Sequence, residues 1–161
     1  MNSTATASPT WPLAAWHGLI IVGCSRRKLR TRTAVPALQL YQGGCVPQLR
    51  ERLDQNPALR ARIRILSAAH GLLAAHDRVH TYDCRLTTQR RARQLRAVVS
   101  SQVDQEVRNS PELAQVLIIA EPLYLVALQR LSHIDRLQLH WIPDPRGWEA
   151  GSVVLDGWGW R

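Results

Sequence analysis

The sequence contains a single lysine, no phenylalanine and no long apolar run. Of its 21 lysine and arginine residues, only Lys28 is a lysine. No apolar run approaches the roughly 18 residues that a membrane span needs, and the first residues lack the charged start and apolar centre of a signal peptide. These absences predict a cytoplasmic protein without membrane contact.

Paired cysteines are also missing. The three cysteines form an odd number with no CxxC pair, which argues against a disulfide framework and against a zinc knuckle. We therefore expect each cysteine to remain a thiol, and we expect neither a metal nor another cofactor.

The size and charge of the chain indicate one basic domain. With 161 residues, 45% of them hydrophobic, the chain can form one domain with a core. Residues 1–15 are small, polar and proline-containing, which predicts a flexible N-terminal arm before a single domain over residues 16–161. A net charge of +9 favours a nucleotide or nucleic-acid partner, although arginine-rich composition also arises from genome-wide bias.

The hydrophobic pattern alternates between strands and helices. Apolar runs predict strands over residues 18–24, 62–67, 115–120 and 136–143, and helical spacing predicts helices over 46–56, 87–108 and 121–131. Residues 144–161 show no clear period and are predicted to be loop, with a short strand at 153–155. This order predicts a single-domain, Rossmann-like α/β fold: a mainly parallel sheet of four to five strands with helices on both faces.

In such a sheet, ligands bind beyond the carboxyl ends of the strands, and polar side chains collect there. Cys24 and Ser25 follow the first strand, while Ser67, His70 and Gly71 follow the second. A cysteine beside a cation can act as a nucleophile, and a histidine can transfer protons. The alternatives are a small buried cysteine that ends a strand and a histidine in a turn.

Other candidates suit the binding of a charged, aromatic ligand. Lys28 offers a compact point charge that arginine does not supply, although one lysine can also fall there by chance. Tyr41 and Tyr82 can stack on a base, whereas Tyr124 is expected to pack in the core with one hydroxyl bond. Asp83 can orient His70 or Lys28, contact a base edge, or simply form a turn. Four arginines at the start of the long helix form either a phosphate-binding patch or a solvated face: Arg90, Arg91, Arg93 and Arg96.

The segments VGCSRRKL, ALQLYQGG, ILSAAHGLL and YDCRL together resemble a small bacterial and phage family with the pattern CSxxK, LYxG, ILSAxHGL and YDxxL. That pattern is similar to a compact relative of the YaaA peroxide-stress proteins. The resemblance implies DNA binding and, in some members, deazaguanine modification of DNA, in which a nitrile on the base becomes an amide. It covers residues 20–86, and these residues fall on pattern positions: Cys24, Ser25, Lys28, Tyr41, Gly43, Ser67, His70, Gly71, Tyr82 and Asp83.

We therefore predict an enzyme that acts on a nucleobase, nucleoside or nucleotide, either free or within DNA or RNA. Cys24 would be the nucleophile, Lys28 would stabilise charge or bind phosphate, and His70 would be the general acid or base. Addition of the thiolate to an electrophilic carbon such as a nitrile fits these residues, as does glycosidic-bond chemistry with Asp83 at the sugar. The remaining predicted substrate-binding residues are Ser25, Tyr41, Gly43, Ser67, Gly71 and Tyr82. Two alternatives stay open: a non-catalytic nucleic-acid-binding module, and a small-molecule sensor with the same pocket.

Overall fold

A computed structural model describes residues 12–161 and contains a five-stranded, mainly parallel sheet. Four strands run parallel: β1 (Gly18–Gly23), β3 (Ile63–Ser67), β6 (Gln115–Ile119) and β7 (Gln138–Ile142). The strand order is β4-β3-β1-β6-β7, in which the edge strand β4 (Gly71–Ala74) pairs antiparallel with β3. The predicted α/β class and mainly parallel sheet are confirmed.

Helices cover both faces of the sheet, and β1 shows why. Its residues alternate between two cores, with Ile20 and Val22 in one and Leu19 and Ile21 in the other. The first core also takes side chains from α1 (Ala37–Leu40), α2 (Val46–Arg52), α3 (Pro57–Arg60) and α6 (Trp148–Trp158). The second takes them from α4 (Gln89–Asn109), α5 (Pro122–Ala127) and a 3-10 turn at Gln129–His133. A strand buried on both sides is apolar throughout.

Residues after β3 form a hairpin rather than the predicted loop. Gly71 has φ of +73°, a left-handed conformation that glycine adopts without a steric penalty, and it turns the chain back into β4. A small antiparallel pair then follows, formed by β2 (Val35–Pro36) and β5 (Arg78–Val79).

The long helix α4 begins close to the predicted residue. The Thr88 side chain accepts a hydrogen bond from the Arg91 amide at 3.2 Å, which is the N-cap contact expected of threonine. In contrast, Asn56 and Pro57 do not simply end α2. Asn56 caps the short α3, where its side chain accepts from the Leu59 amide.

The prediction of a loop with a short strand at residues 153–155 is wrong, because this segment belongs to α6. Its glycine has a packing role: a Cβ on Gly151 would lie 2.7 Å from Ile119 Cδ1, so glycine lets the helix approach the sheet. Gly159, with φ of 72°, ends the helix. The following Trp160 is fully buried and donates a hydrogen bond from Nε1 to the Leu13 carbonyl.

The predicted N-terminal arm lies mostly outside the described residues, which begin at residue 12. Leu13 is 5% exposed, and its amide donates to the Trp158 carbonyl at 2.8 Å. The described end of the predicted arm is thus packed against the core. No helix among residues 12–161 is long and apolar enough to cross a membrane.

Candidate functional site

Residues at the carboxyl ends of three neighbouring parallel strands lie close together. Cys24 follows β1, Ser67 ends β3, and Tyr124 lies in α5 just after β6. Since β1 pairs with both β3 and β6, these positions are adjacent in space. The Cys24 amide also donates to the Leu66 carbonyl at 2.9 Å, which fixes the cysteine beside Ser67.

Cys24 contacts a tyrosine that we predicted only as a core residue. Its Sγ lies 3.2 Å from Tyr124 Oη, within hydrogen-bond distance. Tyr124 is indeed buried, at 6% exposure, but its hydroxyl contacts Cys24 and therefore lies at the candidate site. The sequence signal for this was Pro122, three residues after the end of β6. Proline favours the first turn of a helix, and the helix that starts there places Tyr124 at the carboxyl end of the sheet.

Tyr82 links Ser67 to Tyr41 through a chain of hydroxyl groups. Its Oη lies 2.6 Å from Ser67 Oγ and 2.5 Å from Tyr41 Oη. Ser67 Oγ also accepts the amides of Ala69 and His70 at 3.1 Å each. Because these amides occupy the two lone pairs of the serine oxygen, its proton is directed to Tyr82, and the Tyr82 proton is in turn directed to Tyr41.

Lys28 lies against the same tyrosines. Its Nζ is 4.6 Å from the ring centroid of Tyr82 and 5.7 Å from that of Tyr41, distances typical of a cation–π contact. An antiparallel bridge between Lys28 and Tyr41 positions the backbone. The lone lysine is therefore close to the aromatic cluster and half-buried.

His70 and Asp83 differ in their relation to this cluster. The exposed His70 places its ring 5.0 Å from the Tyr82 ring, nearly perpendicular to it at 80°. Asp83 is exposed, and no side chain or amide among residues 12–161 donates a hydrogen bond to its carboxylate. The structure therefore brings His70 to the tyrosines but gives Asp83 no contact with His70 or Lys28 of the kind we predicted.

Three predicted binding residues make contacts that shape loops. Ser25 Oγ donates to the Arg27 carbonyl at 2.8 Å and accepts the Gly43 amide at 3.1 Å. A Cβ on Gly43 would lie 3.0 Å from Ser25 Cβ, so glycine permits the close approach. A Cβ on Gly71 would lie 2.4 Å from Gln102 Oε1, which accepts the amide after Gly71. Their proposed contacts with substrate stay predictions.

The predicted phosphate-binding arginines lie in the first turns of α4. Arg90, Arg91 and Arg93 are exposed, and Arg96 is half-buried. Arg96 Nη1 donates to Gln129 Oε1 at 2.6 Å, so this side chain is already engaged. Their role in binding phosphate stays a prediction.

Burial keeps the tyrosine hydroxyls protonated. It raises the pKa of Tyr41 to about 12 and raises the pKa of Tyr82 and Tyr124 as well, and negative charge at Cys24 adds to the rise in all three. All three are therefore hydrogen-bond donors at neutral pH. Tyr41 is also 0% exposed, so its ring has no open face for a base, and Tyr82 is the better placed of the two for stacking.

The raised pKa of Tyr41 predicts a loss of stability in alkali. The unfolded chain releases this proton near the ordinary pKa of 10.0, whereas the folded chain holds it to about 12. Stability is therefore present below pH 10 and falls as the pH rises to about 12, by roughly 2–3 kcal/mol from this group. Urea unfolding at several pH values should show a shallower decline for Tyr41→Phe than for the wild type. Equal declines would contradict the assignment.

The three cysteines are free but differ in environment. Cys24 and Cys84 are half-buried and Cys45 is buried. Burial raises the pKa of Cys45 to about 11, which makes this thiol unreactive at neutral pH. Among residues 12–161, no group of three or more His, Cys, Asp or Glu side chains could hold a metal ion. An HxxxH pair, His76 and His80, flanks the extended strand β5, where it does not form one helix face.

Most of the chain matches a known protein family. The sequence profile of a family of unknown function, DUF6884, matches residues 19–140. The chain belongs to this family. The range matched by DUF6884 contains every candidate site residue from Cys24 to Tyr124 and ends before α6. No curated protein and no solved structure matches the chain.

Proposed function

We propose that this protein is an enzyme that modifies a nucleobase, nucleoside or nucleotide, with Cys24 as the nucleophile. The observation that carries the proposal is the position of Cys24 Sγ, half-buried at the carboxyl edge of a parallel sheet and 3.2 Å from Tyr124 Oη. This edge is where parallel α/β sheets bind ligands. The proposal includes the Rossmann-like character of the fold and the resemblance to YaaA proteins.

The reaction that suits these groups is addition of the thiol to an electrophilic carbon such as a nitrile. A bond forms between Sγ and the carbon, one π bond of the nitrile breaks, and the thiol proton ends on the nitrogen. Water then adds to the same carbon and the carbon–sulfur bond breaks, which yields an amide and restores the thiol. Tyr124 donates to the thiolate before attack, and thiolates are the reactive form of cysteine.

Two further side chains have proposed roles in this scheme. Lys28 provides positive charge near the reacting atoms, and His70 is the proton carrier for the attacking water. Tyr82 stacks on the base. Glycosidic-bond chemistry has less support, because the Asp83 carboxylate that it requires is exposed and lacks a positioning partner in the described part of the chain.

Alkylation by iodoacetamide tests whether Cys24 is the reactive thiol. We expect Cys24 to be labelled at least about tenfold faster than Cys45, because thiolate content and access control the rate. Peptide mass mapping over time, in the wild type and in Cys84→Ser, measures each site separately. Nucleotides or oligonucleotides that bind the site should slow labelling at Cys24 while leaving Cys45 unchanged. Equal rates at Cys24 and Cys45, or labelling only at Cys84, would count against the proposal.

A further inference from the structure

The segment after β1 carries an unusual concentration of positive charge, which we call the basic loop, residues 26–32. Five of its seven residues are cations: Arg26, Arg27, Lys28, Arg30 and Arg32. No aspartate or glutamate occurs before Glu51. The loop therefore lacks acidic neighbours in sequence that would neutralise it.

Hydrogen bonds hold the backbone of the basic loop in a defined conformation. The Leu29 amide donates to the Leu40 carbonyl at 2.8 Å, and the Gln42 amide donates to the Arg27 carbonyl at 2.8 Å. Thr81 Oγ1 also donates to the Leu29 carbonyl. Because these hydrogen bonds already fix the loop backbone, ligand binding needs to order only the side chains, which lowers the entropic cost of binding.

Four of the five cations surround an open groove of about 620 Å³, which is lined by Arg26, Arg27, Lys28, Leu29, Arg30 and Gln42. Arg26, Arg27 and Arg30 are exposed. Within residues 12–161, no carboxylate forms a salt bridge with any cation of the loop. Uncompensated cations around one groove fit a polyanion, and the guanidinium group matches phosphate oxygens in two-point contacts.

Lys28 connects this groove to the proposed reaction site. It lines the groove, while its Nζ lies 4.6 Å from the Tyr82 ring. Tyr82 in turn contacts Ser67, which is adjacent to Cys24 across the sheet. A polymer whose phosphates occupy the groove could therefore place a neighbouring base at the tyrosine and the cysteine.

We propose that the basic loop binds the phosphate backbone of a single-stranded nucleic acid and so delivers one of its bases to Cys24. This inference rests on the proposed function and narrows its substrate from free nucleobases to a polymer. A single strand is the fitting form, because a base must leave the stack before a group in a protein site can react with it. Arginines on the backbone and an aromatic ring on the base are the usual features of such binding.

Matched double variants test the loop by fluorescence anisotropy with labelled single-stranded DNA and RNA oligonucleotides. Arg27→Gln with Arg30→Gln removes two exposed loop cations. Arg108→Gln with Arg161→Gln removes two exposed cations from the opposite edge of the sheet, where its strands begin. Arg108 lies in the last turn of α4, and Arg161 follows Trp160. Each phosphate contact of a single strand contributes about 0.7 to the slope of log affinity against log salt.

The loop variant should bind about tenfold more weakly at low salt, with a slope shallower by about 1.4. The opposite-edge variant should stay close to the wild type. Equal losses in both variants, no oligonucleotide binding by the wild type, or binding of inorganic phosphate or a mononucleotide as tight as that of the oligonucleotide would each overturn the inference. Preferred binding of duplex DNA would overturn the single-strand assignment.

A different measurement, the alkylation rate of Cys24, tests the proposed function separately from the basic loop. If Cys24 is rapidly alkylated while the loop variants bind normally, the reaction site survives and the basic loop does not deliver the substrate. If the loop variants lose binding while Cys24 is no more reactive than Cys45, the loop binds nucleic acid and the catalytic proposal fails.

Discussion

Replacing Cys24 with serine should lower the conversion of a nitrile-bearing nucleobase by about three orders of magnitude or more, as losses of a catalytic nucleophile do. Serine keeps a small polar group within reach of Tyr124, so the substitution removes the thiolate while largely preserving the site. The substrate for this assay is an oligonucleotide that carries a nitrile-substituted deazaguanine. Initial rates of amide formation, followed by chromatography of the digested product, measure the effect.

A matched control separates the nucleophile from general cysteine effects. Cys84 is half-buried like Cys24, but it is not a proposed reacting group, so Cys84→Ser should keep nearly the full rate. Circular dichroism of both variants checks that they fold. A Cys24→Ser variant that converts the substrate at the wild-type rate would show that the nucleophile lies elsewhere.

Removing the indole of Trp160 should lower the free energy of unfolding by about 3–5 kcal/mol. Trp160 is fully buried. It packs edge-on against Trp158, with ring centroids 4.9 Å apart, and bonds the Leu13 carbonyl. Alanine would leave a cavity and an unpaired carbonyl at the amino end of the sheet, where Trp160 approaches Gly18. Urea unfolding of Trp160→Ala against the wild type measures the loss.

An exposed tryptophan provides the control. Trp16 is 57% exposed, so Trp16→Ala should change the unfolding free energy by only about 0.5 kcal/mol, as surface substitutions do. Similar losses in the two variants would mean that the C-terminal tryptophan does not pack in the core. The comparison therefore tests whether the C-terminal residues pack against the core as the helix α6 and its end, rather than forming the predicted loop.

The sheet could be predicted because its central strands are buried on both faces and therefore appear as continuous apolar runs, such as the one that contains Ile20 and Ile21. The edge strand β4 was missed because it is only four residues long and follows β3 after a tight turn at Gly71. The helix α6 was missed because Gly151 interrupts the helical pattern, and only its approach to Ile119 explains the glycine. Short elements and close packing depend on tertiary contacts that periodicity does not record.

The site residues also divide into those that the sequence could predict and those that only the fold reveals. The sequence rule that ligands bind at strand ends brought Cys24, Ser67 and His70 into one prediction. The hydrogen bond between Tyr124 and Cys24 spans 100 residues of the chain, and the contact of Lys28 with Tyr82 depends on the pairing of Lys28 with Tyr41. Such partners become visible only when the fold brings distant segments together.

The most direct test of the central claim is to trap the covalent intermediate between Cys24 and its substrate. The protein is mixed with the nitrile-bearing oligonucleotide, quenched in acid within the first turnover, digested with nuclease and measured by intact mass spectrometry. Our account predicts an added mass equal to the modified nucleotide, located at Cys24 by peptide mapping and absent from Cys24→Ser. Amide formation with no adduct at any time, or an adduct located at Cys84, would contradict it.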